Sequence, residues 1–224
     1  MARNGKREYI AVIGLGRFGS AVAETLHSHG HEVLAIDLDG DRVQALANTL
    51  PHLVQADCTN VEVVRNLGLA DADHAVVAIG DNLEASVMTV MSLHEVGVKD
   101  IWAKAMSTRH GEILSRLGAS HISYPEADQG RRVAHLIDGQ MSDFLAMSDG
   151  FAVAVTCVPR EAAGKPLIDL ALRRRLGITV IAVKRPGAEL DYATPETVLV
   201  EGEQILISGT ADKVRAFSDR VEVG

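Results

Sequence analysis

Short apolar, β-branched runs alternate with amphipathic stretches through most of the first half of the chain. The short runs predict strands over Tyr9–Ile13, Glu32–Ile36, His52–Gln55, His74–Ile79, Ile101–Lys104 and His121–Ser123. Between them the helical period predicts helices over Phe18–His29, Gly40–Ala47, Val61–Asn66, Leu83–Val96 and Arg109–Leu117, with Asp39 placed to cap the second. Strands alternating with helices imply βαβ units on a parallel sheet, so the expected class is α/β, a Rossmann-like doubly wound parallel sheet.

A longer helix is predicted over Asp128–Phe144, following Pro125, with Val133, Leu136, Ile137 and Met141 on one face. No further parallel strand follows for it to serve. Two arrangements are open: it packs on a second copy, or it folds back on its own sheet. After Ser148-Asp149-Gly150 the pattern changes. Phe151–Val158, Ile178–Lys184 and Gln204–Ser208 read as strands, Pro166–Arg175 and Ala211–Ser218 as helices, and Pro186-Gly187 as a turn. The expected organisation is a nucleotide-binding domain over 1–143 and a small α+β lobe over 144–224. A lobe of that size buries little core alone, so it is expected to dock or dimerise.

Composition narrows the partners. The chain is 47% apolar with 4% aromatics and a formal charge of −8. An acidic chain gives no electrostatic reason to expect nucleic acid. Cys58 and Cys157 are the two cysteines and form no CxxC spacing, which excludes a zinc motif of that kind. No apolar run reaches the roughly 18–20 residues that span a bilayer. Met1–Arg7 is basic, but no apolar segment of signal-peptide length follows. The expected location is cytoplasmic, with any membrane role exercised through a partner.

The main chemical signal is Gly14-Leu15-Gly16-Arg17-Phe18-Gly19, between a predicted strand and a predicted helix. In that context GxGxxG serves a dinucleotide or nucleotide: one glycine turns the chain, one admits a pyrophosphate, and one lets helix and strand pack closely. Asp37 ends the second strand, where a carboxylate accepts from ribose hydroxyls and repels a 2′-phosphate. Arg17 is placed either to pair with phosphate oxygens or to stand solvated on the first helical turn. Asp57 and Cys58 end the third strand, where an adenine edge is read; Asp57 or Thr59 would alternatively cap the next helix. Ile79 and Gly80 end the fourth strand. Lys104 ends the fifth and either reaches a phosphate or snorkels into solvent. No Tyr-x-x-x-Lys pair, GxSxG or Walker lysine is present. These residues leave three readings open: a nucleotide-sensing regulator; an NAD(H)-dependent oxidoreductase, since both ligands share the adenosine half; and an assembly scaffold that binds no nucleotide.

Gly14–Gly19, Ala78-Ile79-Gly80, Ile101-Trp102-Ala103-Lys104-Ala105 and Tyr124-Pro125-Glu126 resemble the KtrA-type regulatory subunits of bacterial potassium uptake, of the TrkA/RCK group. Gly164-Lys165-Pro166-Leu167, Leu176-Gly177-Ile178 and Gly202-Glu203-Gln204-Ile205-Leu206 resemble that group's C-terminal lobe. The resemblance implies a non-enzymatic cytosolic ring, an octamer built from dimers, docked beneath a KtrB/TrkH-like potassium-transporting membrane subunit. It implies ATP and ADP as alternative ligands, with ATP activating. By matching position, Gly14, Gly16, Arg17, Phe18 and Gly19 would hold phosphates and Asp37 the ribose. Asp57 and Cys58 would border the adenine, and Ile79, Gly80 and Lys104 would complete the site. Glu126 would help hold Mg2+ or another cation beside the γ-phosphate at the dimer interface. Ile168, Asp169, Leu170 and Arg173 match the region that binds cyclic di-AMP in some relatives. Ala171 stands there in place of a common asparagine, and Arg173-Arg174-Arg175 departs from the pattern.

Overall fold

The computed structural model describes residues 7–138, 141–147, 149–185 and 187–220. The chain divides into two compact units, Met1–Glu126 and Ala127–Gly224.

In the first unit, β1 (Tyr9–Ile13), β2 (Glu32–Asp37), β3 (His52–Gln55), β4 (His74–Val77), β5 (Ile101–Lys104) and β6 (His121–Ser123) form one sheet in the order β3-β2-β1-β4-β5-β6. Every pairing in it is parallel. The connecting helices are α1 (Arg17–Ser28), α2 (Gly40–Ala45), α3 (Val61–Asn66), α4 (Leu83–Val96) and α5 (Thr108–Arg116). The strands are apolar on both sides because both faces are covered. On β1, Ala11 and Ile13 enter one core cluster, with Ile36, Val64 and Leu93. The alternate residues Ile10 and Val12 enter another, with Val33, Ala35 and Leu46. Asp39 caps α2 as expected, by accepting from the Asp41 N–H.

The strand order reverses between β1 and β4, which opens a crevice at their carboxyl ends. The opposite edge of the sheet is tied by side chains. His74 Nδ1 lies 2.5 Å from Asp100 Oδ2. His121 Nε2 lies 3.2 Å from the other Asp100 oxygen. Trp102 donates its indole N–H to Asp100 at 3.1 Å and stacks on His121. Burial alone would raise the Asp100 pKa, but the hydrogen bonds from His74 and Trp102 outweigh it and hold the carboxyl below its ordinary value.

In the second unit, β7 (Met141–Ala146), β8 (Phe151–Cys157), β9 (Thr179–Lys184), β10 (Leu190–Tyr192) and β11 (Gln204–Thr210) make an antiparallel sheet in the order β10-β9-β11-β8-β7. Its helices are α6 (Pro125–Asp138), which starts on the last residues of the first unit, α7 (Leu167–Leu170), α8 (Leu172–Leu176) and α9 (Ala211–Ser218). Met141, Phe144, Ile178, Ile205, Ile207 and Phe217 belong to its core.

Two expectations change here. The helix predicted to run to Phe144 ends at Asp138, and 141–146 is a strand. Met141 and Phe144 are both buried at a spacing that suits one helix face. A register shift between Met141 and Asp143 lets a strand present the same two residues to the core. The helix predicted over Pro166–Arg175 is broken into α7 and α8 by Ala171, whose φ of +45° reverses the chain. The compact units meet at Glu126/Ala127. The turn expected at Pro186-Gly187 lies half outside the described residues. Its Gly187 has φ +74°.

Candidate nucleotide site

The loop from β1 to α1 lies at the crevice. Gly14 has φ +95° and donates its N–H to the Ile36 carbonyl at 2.8 Å. A Cβ there would stand 3.1 Å from the backbone of Ala78 and Ile79. Gly19 is packed more tightly, since a Cβ would fall 1.8 Å from the Gly14 carbonyl oxygen. Gly16 differs from both: nothing lies within 4 Å of its would-be Cβ. It is the N-cap of α1, extended at φ −70° and ψ −174°, with no side-chain cap. The first-turn N–H groups of α1 have no intrahelical acceptor and carry the positive end of the helix dipole, beside the space left open at Gly16. These are the steric and electrostatic features of an anion cradle.

Asp37 is 6% exposed. Its Oδ2 accepts the Leu15 N–H at 2.5 Å and its Oδ1 accepts the Asp39 N–H at 2.8 Å. The carboxylate is thus fixed to the glycine loop itself. Arg42, which the sequence pattern did not single out, approaches Asp37 at 3.6 Å, Asp39 at 3.6 Å and Asp81 at 3.5 Å. Asp37 is the foremost cause of the raised Arg42 pKa. The available signal was a basic residue on the helix after β2, opposite the carboxylates that end β2 and β4.

Lys104 closes the other side. Its Nζ lies 2.6 Å from Glu126 Oε1 and 5.9 Å from the centre of the Phe18 ring. Its stem lies across Gly80, where a Cβ would come within 2.6 Å of Nζ. The hydrogen bond from Lys104 is the main reason the Glu126 carboxyl is held below its usual pKa, and the Arg17 charge adds to it. Arg17 itself is exposed and makes no ion pair among the described residues.

The structure therefore gathers the glycine loop, Arg17, Phe18, Asp37, Ile79, Gly80, Lys104 and Glu126 at one sheet edge. Asp57 and Cys58 follow β3, whose last residue Gln55 pairs with Asp37, and Asp57 is exposed there. Asp57 Oδ1 accepts from both the N–H and the hydroxyl of Thr59, at 3.0 and 2.7 Å, and Asn60 caps α3 instead. The Cys58 thiol is buried in the core, and burial, aided by Asp57, pushes its pKa up to about 12. No group of three or more His, Cys, Asp or Glu suited to a metal occurs among the described residues. A single carboxylate already paired with Lys104 does not by itself make a cation cage.

Residues 10–125 match the TrkA-N domain and residues 155–221 the TrkA-C domain. The chain belongs to the TrkA/RCK family. It is 39% identical to Ktr system potassium uptake protein C of Bacillus subtilis, over 96% of this chain and 98% of that protein. It is 37% identical to Ktr system potassium uptake protein A of Vibrio alginolyticus, over 95% of this chain and 96% of that one. The KtrA-type resemblance thus holds over nearly the full length. Among solved structures, the RCK domain of GsuK superposes with a TM-score of 0.67 at 20% identity, covering 99% of this chain and 49% of that one. The GsuK channel bound to NAD gives 0.67 at 20% identity, covering 99% and 41%. This chain spans about half or less of those solved chains, and the likeness establishes the shared fold. No helix among the described residues is long and apolar enough to cross a membrane.

Proposed function

We propose that this chain is a non-enzymatic, nucleotide-sensing regulatory subunit of potassium uptake. It binds ATP or ADP in the crevice and gates a potassium-transporting membrane subunit from the cytoplasmic side. The observation that carries the reading is the pair of cations at the cradle: Arg17, without an ion pair among the described residues, and Lys104 beside Phe18. Two cations at a helix N-terminus match a polyphosphate better than a pyrophosphate alone. ADP and ATP differ at the γ-phosphate, so a state that contacts it is favoured by ATP only. A difference of about 1.4 kcal/mol between the two states shifts their ratio tenfold.

Assembly into an octameric ring of dimers is part of the proposal. Val133 and Ile137, 41% and 81% exposed on α6, supply an apolar face for a second copy. The second reading is that NAD(H) is the ligand. It is favoured by Asp37, whose fixed carboxylate suits the ribose of either nucleotide, and by the GsuK channel, a fold neighbour solved with NAD bound. The test is K+ flux in vesicles carrying the cognate membrane subunit and this protein, with ATP, ADP or NADH added. Flux raised by ATP over ADP, with the difference lost in Arg17→Ala, is the expected result. Flux indifferent to ATP and ADP but responsive to NADH would overturn the ATP reading.

A further inference from the structure

We propose that Lys104 is a shared cation that exchanges partners, held by Glu126 in the free chain and by nucleotide phosphate in the bound one. The inference rests on the nucleotide reading above and adds how occupancy of that site is signalled.

The two partners of the ion pair differ in freedom. The Lys104 side chain is 12% exposed, on the last residue of β5, and its stem fills the space that Gly80 leaves. The Glu126 side chain is 69% exposed. The fixed member is the lysine and the movable one is the carboxylate. Nζ sits beside Phe18, in the first turn of α1, so an anion at that helix N-terminus comes within reach of it. An ammonium has three donors but one unit of charge, and a di- or triphosphate is the stronger anion. Filling the cradle therefore sets phosphate and Glu126 against each other, by competition for Lys104 and by direct repulsion.

Glu126 is the last residue of the first unit and lies in the first turn of α6, whose remaining residues belong to the second unit. Exchange at Lys104 thus acts at the chain position where one unit passes into the other. A Cβ at Gly80 would displace the end of the Lys104 side chain from its place beside Glu126.

The test is calorimetric titration of the full chain with ADP in the absence of divalent cations, for wild type, Glu126→Gln, Lys104→Met and the double variant. An ion pair with one exposed member is a weak competitor, so Glu126→Gln is expected to tighten ADP by about fivefold or less. Lys104→Met loosens it about tenfold or more, the loss of a charge-assisted hydrogen bond. The decisive comparison is Glu126→Gln on the Lys104→Met background, where exchange predicts clearly less tightening than in wild type, since only direct repulsion is left to relieve. Equal tightening in both backgrounds would mean repulsion alone, without exchange, and overturns the proposal. Unchanged or weaker binding by Glu126→Gln in the wild-type background overturns it as well. Wild type that binds neither ADP nor ATP would instead bring down the nucleotide reading and the exchange with it. Lys104→Gln, which keeps a polar end, guards against a packing defect in Lys104→Met.

Discussion

Gly16 and Gly19 lie in the same loop, yet adding one methyl group to each is expected to do different things. In Gly19→Ala the new Cβ falls 1.8 Å from the Gly14 carbonyl oxygen and 3.0 Å from Ala78 Cβ. To restore ordinary contact, α1 must move off the β1 loop by over an ångström, against two well-packed cores. Overpacking of this kind costs about 1–3 kcal/mol. At about 2–4 °C per kcal/mol for a chain of this size, Tm falls by several degrees. In Gly16→Ala the methyl meets nothing within 4 Å, and the extended backbone at φ −70° suits any residue. The fold loses the preference for glycine over alanine at an N-cap, about 0.5–1 kcal/mol, which lies below most of the range expected at Gly19. That methyl does fill the space in which phosphate would approach the α1 N–H groups. Losing one charged hydrogen bond costs about 1.5–3 kcal/mol, a loss of tenfold or more in ADP affinity. Thermal unfolding and calorimetric titration on both variants are the assays. Gly16→Ala that binds ADP like wild type would refute the placement of the phosphates, and Gly16→Ala as unstable as Gly19→Ala would refute the steric argument.

Other consequences follow from single residues. Ala171 sits at φ +45°, where a Cβ costs about 1–2 kcal/mol, so Ala171→Gly or Ala171→Asn is expected to raise stability by about 0.5–1 kcal/mol in urea unfolding; a loss of stability would show that the turn is not strained. His110 is buried, its Nδ1 accepts the Met106 N–H at 3.3 Å, and its Nε2 has no partner among the described residues. Burial lowers its pKa, so the folded chain holds the ring neutral while the unfolded chain takes up a proton near its ordinary value of about 6.5. Stability therefore falls as pH drops through about 6.5 and levels off only below the folded pKa. The fall should be shallower in His110→Leu; parallel curves for the two proteins would contradict the assignment.

Much of the first unit was legible because parallel strands buried on both faces read as short apolar runs, and Gly14 marks where the first one turns. The second unit was harder. Met141 and Phe144 have helical spacing, and only a bulge, set by pairing with β8, makes them a strand. Leu190–Tyr192 is an edge strand with every residue exposed, so it carries no hydrophobic pattern. Ala171 breaks a helix with a residue that favours helices, a choice that tertiary packing imposes on local preference. At the site, the sequence put Lys104 at the sheet edge, but that Glu126 pairs with it is a fact of side-chain packing that no local pattern carries. Among Asp57, Thr59 and Asn60, each able to cap, the cap fell to Asn60 because Asp57 closes the Thr59 turn. Arg42 escaped notice because, although Asp37 and Asp39 precede it closely, its reach to Asp81, 39 residues on, is set by packing and not by local sequence.

The central claim is that the crevice beside Gly16 takes an adenine nucleotide and distinguishes ATP from ADP through Arg17. Its most direct test is calorimetric titration of the nucleotide-stripped protein with ATP, ADP and NADH, repeated on Arg17→Ala. Binding of ATP and ADP with a ratio of affinities that changes in Arg17→Ala is the predicted result. No binding of either, or a ratio identical in Arg17→Ala and wild type, would contradict it.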